Sequence, residues 1–235
     1  MNLPFWWANP VGSDLQSLWL SVRVASMATV VIVVFGLPIA WALARWRFPG
    51  KGVIGGLLIL PLVLPPTVLG YYLLQLLGRG GWIGQGLENR FGVMVVFHPA
   101  GAVIAAAVAA FPLFLMPARA AFEEVDPDLE DAARLLGRSE SSVFTSITLP
   151  LAWKGIAAGT VLAFSRALGD FGATLMVAGD IPDRTRTAPI AIYNAVSMGD
   201  SATAGRLTLA LSMIAIAALW LAGRGLPAPA RRRAR

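Results

Sequence analysis

Glu123, Glu124, Asp126, Asp128, Glu130, Asp131 and Glu140 are seven of the chain's 13 acidic residues. All lie in or just before one polar stretch, LEDAARLLGRSESSVFTSITLP, at 129–150. Strongly apolar sequence flanks it on both sides. In that setting such an insert is either a soluble docking surface or a plain loop. A second charged constellation is Arg166 and Asp170, whose i, i+4 spacing puts them on one helical face, close enough to pair. Charges this near an apolar span line a water path or mark its end. A structural pair near the outer mouth is the favoured reading, and a gate or substrate contact the alternative.

Signatures of catalysis are missing. The sequence has no GxxxxGK(S/T) phosphate loop, no HExxH, no nucleophile elbow and no metal cluster. With Cys 0 there is no disulfide, thiol catalyst or cysteine metal site. The single histidine, His98, reads as an interfacial side chain rather than a ligand or proton carrier.

The elements that must position these groups are apolar helices. Of 235 residues, 57% are apolar and 14% charged, with a mean hydropathy of +0.68. Soluble domains carry about 25% charged residues. Continuous apolar runs, rather than alternating ones, point to an all-α polytopic membrane protein and away from a β-barrel or an apolar soluble bundle. Five spans are expected, at 15–46, 53–77, 101–118, 151–177 and 202–221. Pro38 kinks the first without ending it. Pro61, Pro65 and Pro66 in the second remove hydrogen bonds that neighbouring protein or water must replace. Either this span packs inside a bundle beside a translocation path, or it is a kinked helix with no such role. Residues 82–91 are expected as a short interfacial helix, Pro182 and Asp183 as a turn, and 189–198 as a short helix or partial re-entry. Trp6 and Trp7 look interfacial, and the 14 residues before Leu15 leave no room for a further span.

The net charge of +6 is concentrated at the ends of apolar runs, which favours orientation across a membrane over nucleic-acid binding. Arg45, Arg47, Lys51, Arg119, Arg134, Arg138, Lys154, Arg224, Arg231, Arg232, Arg233 and Arg235 would share one side with the acidic insert, making 12 of the 19 basic residues. Arg79, Arg90, Arg184 and Arg186 would lie opposite. The positive-inside rule then puts the N-terminus outside and the C-terminus in the cytoplasm.

Within the insert, Asp126 is a cap and Pro127 a first-turn residue of a helix ending near Gly137. Ser139 or Ser141 caps a second short helix. Pro150 opens the next span. The result is a helix, a glycine turn and a helix, rooted in two spans. An amphipathic loop lying on lipid is the alternative, disfavoured by its acidic start.

This insert resembles the coupling motif of ABC importer permeases: an acidic residue, two alanines, three residues, glycine, nine residues, isoleucine, any residue, leucine, proline. Asp131, Ala132, Ala133, Gly137, Ile147, Leu149 and Pro150 stand at those places. Asp131 replaces the usual glutamate and shortens the reach. FPGK at 48–51, LPLVLPPTVLGY at 60–71, GRGGWIG at 78–84, LAFSRALGDFGAT at 162–174 and IPDRTRT at 181–187 resemble the molybdate permease family. Sulfate and tungstate permeases share parts of these patterns.

The resemblance implies a single transmembrane permease domain over 1–235 of the small type I, MetI-like kind, with a cytoplasmic coupling insert at 120–150 and a basic tail at 224–235. It implies an inner-membrane homodimer that docks two cytoplasmic ABC ATPases, which carry ATP and Mg2+, while the chain itself binds no cofactor and catalyses nothing. An extracytoplasmic molybdate-binding protein would deliver molybdate or tungstate. Expected coupling residues are Glu130, Asp131, Ala132, Ala133, Gly137, Ser141, Ile147, Leu149 and Pro150. Expected path residues are Pro61, Pro65, Pro66, Thr67, Gly169, Asp170 and Gly172. A sulfate or other small-oxyanion permease, or a transporter working without an ATPase, is the competing reading.

Overall fold

The computed structural model describes residues 10–92 and 94–225. Trp6, Trp7 and the arginines at 231–235, to which the sequence assigned roles, lie outside the described residues. Every described element is helical. In order they are α1 (Pro10–Arg45), α2 (Lys51–Val63), α3 (Pro66–Leu77), α4 (Trp82–Phe91), α5 (Pro99–Glu123), α6 (Pro127–Leu135), α7 (Glu140–Val143), a π turn (Phe144–Thr148), α8 (Leu149–Leu168), α9 (Gly172–Ala178), α10 (Ala188–Ser197) and α11 (Ser201–Gly225).

Four stretches are long and apolar enough to cross a membrane: Asp14–Arg45, Pro99–Glu123, Glu140–Leu168 and Ser201–Trp220. A fifth exists only if α2 and α3 count as one span, because they meet at 115°. The second run is therefore broken rather than kinked. Leu64 precedes Pro65, and Pro65 precedes Pro66. A residue before proline is pushed out of the helical region. Leu64 accordingly has ψ 139 and Pro65 ψ 137. Two extended residues in succession turn the chain, and Pro66 then starts α3 at its first turn, where its missing N–H costs nothing. Pro38, Pro112 and Pro117, by contrast, stay inside continuous helices.

The fourth run also differs from expectation. α8 ends at Leu168, not near residue 177. Asp170 sits after the helix, and its Oδ2 accepts from the backbone N–H of Thr174 at 2.9 Å and from Thr174 Oγ1 at 2.7 Å. That satisfies the first turn of α9, so a new helix begins where the old one would have continued. At the other end, α8 is not preceded by a loop. Leu149 N–H bonds back to Phe144 O, five residues away, and this wide turn joins α7 to α8 without interruption. A π turn immediately ahead of Pro150 gives room to the ring that would otherwise press on the preceding turn.

The core forms around α5. Ala102, Ala105, Ala106, Ala110 and Ala118 are fully buried, so α1 and α8 approach its backbone closely. A Cβ on Gly159 of α8 would lie 2.8 Å from the carbonyl oxygen of Phe114, and one on Gly36 of α1 would lie 2.7 Å from the Phe114 ring. Phe114 thus fills the seam among the three helices.

The bundle has two distinct ends. At one, Ser21 Oγ of α1 accepts from Ala188 N–H at 2.7 Å, and Arg206 of α11 pairs with Asp14 at 3.2 Å. The loop between α9 and α10 belongs to this end, where Asp180 pairs with Arg186 at 2.6 Å and Pro182 and Asp183 lie in a turn. The last turn of α1 and the insert share the opposite end, joined through Arg45 and Glu130.

Candidate functional site

The polar insert folds as local chemistry dictates. Asp126 Oδ1 accepts from Asp128 N–H at 3.0 Å, Pro127 occupies the first turn of α6, and Asp128 and Glu130 favour its positive end. Past Leu135 the chain reverses through Gly137, whose φ is +80. Arg138 N–H reaches Ala133 O at 3.1 Å and Gly137 N–H reaches Arg134 O at 2.9 Å, the paired bonds of a glycine-terminated helix. Ser139 Oγ then accepts from Ser142 N–H at 3.4 Å and starts α7. The result is an elbow with helices on both sides of one left-handed glycine.

Charges lock the elbow. Arg134 reaches across the glycine turn to donate through Nε to Glu140 Oε1 at 2.7 Å and through Nη2 to Glu140 Oε2 at 3.1 Å. Its Nη1 meets Asp131 at 2.6 Å. Hydrogen bonding to Glu140, then to Asp131, raises the Arg134 pKa above its already high value. The same bond from Arg134 holds the Glu140 carboxyl below its ordinary value.

Glu130 faces the other way. It is 5% exposed, and its Oε1 accepts from Arg45 Nη2 at 2.8 Å and from Thr148 Oγ1 at 2.6 Å. Arg45 Nη2 also donates to Val125 O at 3.2 Å. Trp41, one turn before Arg45, stacks edge-on against Phe144 of the π turn at 5.7 Å.

The expected coupling residues therefore divide. Asp131, Ala132, Gly137, Ser141 and Pro150 are exposed, whereas Glu130 and Ala133 are buried within the chain's own fold and Ile147 and Leu149 are half-buried. Leu135 and Leu136 were not singled out from sequence, yet they are 89% and 86% exposed at the tip of the elbow. The signal in the sequence that could have found them is a pair of leucines at the end of an otherwise polar helix.

The expected path residues also divide. Pro66, Thr67 and Gly172 come together. A Cβ on Gly172 would lie 2.9 Å from Pro66 Cβ and 3.3 Å from Thr67 N, so only glycine lets α9 meet the start of α3 this closely. Asp170, 2% exposed, pairs with Arg166 at 2.9 Å beside this contact, although it sits in the break rather than on the helix. Pro65 is exposed at the bend and Gly169 at the end of α8. Pro61 is apart from the rest, lining an apolar cleft with Ile32, Phe35, Ala107 and Phe111. His98 caps α5, its Nδ1 accepting from Ala100 N–H at 3.2 Å. Among the described residues no three His, Cys, Asp or Glu side chains converge to hold a metal ion.

Residues 32–224 match the family model described as binding-protein-dependent transport system inner membrane component. The molybdenum transport system permease protein ModB of Escherichia coli (strain K12) is 48% identical over 214 residues, spanning 89% of this chain and 93% of that protein. The putative molybdenum transport system permease protein YvgM of Bacillus subtilis (strain 168) is 42% identical over 202 residues, spanning 86% and 88%. Among solved structures, an inward-facing conformation of the MetNI methionine ABC transporter superposes with a TM-score of 0.70 at 16% identity, covering 96% of this chain and 98% of that one. That last likeness concerns the fold.

Proposed function

The chain belongs to the family of binding-protein-dependent transport system inner membrane components, and from that premise we propose that its cargo is molybdate, with tungstate as the closest analogue. It is the multi-pass, non-catalytic permease subunit of an ABC importer of the inner membrane. The observation that carries the cargo assignment is the 48% identity to a molybdenum permease over nearly the full length of both chains.

The geometry supports a division of labour. Two copies of the chain enclose the path. In a single copy, Val68, Tyr71 and Tyr72 of α3 and Leu57, Leu60 and Val63 of α2 are exposed, an apolar face that meets either lipid or a second copy. Each copy docks one cytoplasmic ATPase on the elbow, with Leu135 and Leu136 as apolar anchors and Asp131 and Ser141 as the polar rim. ATP and Mg2+ are held by those ATPases. An extracytoplasmic binding protein delivers the oxyanion at the end where α1 begins. ATP-driven closure brings the two elbows together and reorients the helices rooted in them. The N-terminus lies outside and the C-terminus in the cytoplasm, as the basic residues around the elbow favour.

Mobile cargo needs a route that binds weakly, since a tight site would stall release. Selectivity then rests largely with the binding protein. The test is ATP-driven uptake by the reconstituted complex, comparing labelled molybdate, tungstate and sulfate. Uptake of molybdate with little uptake of sulfate supports the assignment. Preferential sulfate uptake, or uptake without any ATPase, overturns it.

A further inference from the structure

Glu130 adjoins the acidic position of the coupling motif and on spacing alone would be another docking charge. Its surroundings contradict that role. Its carboxylate is turned away from the exposed face of α6 and is buried against the chain's own helices. Arg45, the last residue of α1, and Thr148, the last residue of the π turn, both donate to the same oxygen, Oε1. Arg134 Nη2 stands 3.9 Å from the other oxygen, Oε2.

One carboxylate thus joins three elements that sequence does not join closely. Arg45 is 85 positions away and Thr148 18 positions away. Covalently, the elbow is rooted in α5 and α8. Through Glu130 it acquires a third root in α1. Trp41 against Phe144, and Phe144 against Phe122 at 6.3 Å, line one side of the joint, while Arg47, Lys51, Glu123 and Glu140 line the cleft on its other side. The Glu130 carboxylate itself is nearly buried, so removing either partner of the pair strands the other.

We infer that Glu130 is a strut that makes α1 move with the coupling elbow, through the contact of its carboxylate with Arg45 and Thr148, and that it is not a docking contact for the ATPase. A load applied at Leu135 and Leu136 passes through α6 to Glu130. From there it divides between the end of α1 and the root of α8. Glu130 is a positioning residue: it touches neither cargo nor nucleotide, and its effect falls on the efficiency with which hydrolysis becomes transport. Asp131, its immediate neighbour, is exposed and bonds through Oδ1 to Arg134 of the elbow rather than to another helix.

This inference rests on the chain being an ATPase-driven permease, and the experiment separates the two. Proteoliposomes holding the complete importer, with wild-type chain or Glu130→Gln, are assayed for ATP hydrolysed per molybdate imported and for affinity between permease and ATPase. Glutamine keeps the size and an acceptor for Thr148 but loses the charge that holds Arg45. The expected result is ATPase affinity within about twofold of wild type and a rise of roughly threefold or more in ATP hydrolysed per oxyanion, within the range for residues that couple distant sites.

An unchanged ratio overturns the strut. Loss of ATPase affinity matching the loss of transport also overturns it, and returns Glu130 to the docking surface. If the wild-type vesicles import nothing with ATP, the transport reading fails instead.

A second variant guards against misfolding. The chain has Cys 0, so Arg45→Cys with Glu130→Cys introduces the only two thiols in it. Joining them with a short bifunctional thiol reagent before assembly is expected to restore the wild-type ratio, while the unjoined double variant remains uncoupled. Equal ratios with and without the cross-link contradict the inference.

Discussion

Arg134 and Glu140 meet across the glycine turn of the elbow, with two hydrogen bonds of 2.7 and 3.1 Å between one guanidinium and one carboxylate. Both side chains are largely exposed, so the pair contributes modestly to stability. Its consequence is geometric. A planar fork on a carboxylate fixes orientation as well as distance, and here it fixes α6 against α7.

Replacing Arg134 with Gln should loosen that angle without unfolding the bundle. Spin labels at Ala132 and Thr145 should report a broader distance distribution in Arg134→Gln than in wild type. The titration carries a sign. Since Arg134 lowers the Glu140 pKa, the bridge's contribution is present above the unfolded carboxyl value and is lost as pH falls through the lowered folded value. A carboxyl-carbon NMR titration of Glu140 should therefore shift its midpoint upward in Arg134→Gln. An unmoved midpoint would deny the bridge in solution.

The leucine pair makes a sharper claim. Leu135 and Leu136 are among the most exposed apolar side chains described, and their burial by a partner would supply anchor energy. Truncating both to Ala should weaken the affinity for the ATPase by about tenfold or more, while insertion and thermal stability of the isolated permease stay unchanged. Retained affinity would move the docking surface elsewhere.

Gly137 is required by its φ of +80. Gly137→Pro cannot adopt that angle, since proline is held near −65°. It should abolish ATP-driven uptake while leaving membrane insertion intact. Normal uptake would sink the proposed turn geometry.

Contact between α3 and α9 is set by Gly172. In Gly172→Val a side chain must enter the space occupied by Pro66 and Thr67. Overpacking of this kind costs about 1–3 kcal/mol, which thermal unfolding in detergent would report as a lower midpoint. Asp170→Ala should also destabilise, by about 2–3 kcal/mol, a reduced version of the penalty for a broken buried pair because Arg166 remains 27% exposed. If Gly172→Val melts with wild type, the α3–α9 contact is not tightly packed in the folded chain, and if Asp170→Ala does, its bonds to Arg166 and Thr174 contribute little.

Local chemistry was legible in the sequence; tertiary direction was not. The bounds of α4, the cap at Asp126, the turn at Gly137 and the start at Ser139 follow from residues within one turn of each feature. From sequence, Pro61, Pro65 and Pro66 leave one span either packed in a bundle or kinked; the break at Leu64 and Pro65 is hidden, because the cumulative effect of two pre-proline residues depends on what the chain packs against next. The expected span to residue 177 overruns the end of α8 at Leu168 because apolar residues continue past it. Only the capping bond from Asp170 to Thr174 reveals the new start. Glu130 and Asp131 are adjacent, yet about 100° apart around the helix. Which of them faces inward is decided by Arg45, far away in sequence.

A stiff elbow linking the ATPase to the membrane helices is the central requirement of the proposed transport cycle. The most direct measurement is ATP-driven molybdate accumulation in proteoliposomes carrying a permease whose residues 129–146 are replaced by a glycine–serine tether of equal length. Accumulation falling to the level without ATP, with the tethered chain still inserted, is the predicted result. Accumulation equal to wild type would contradict it.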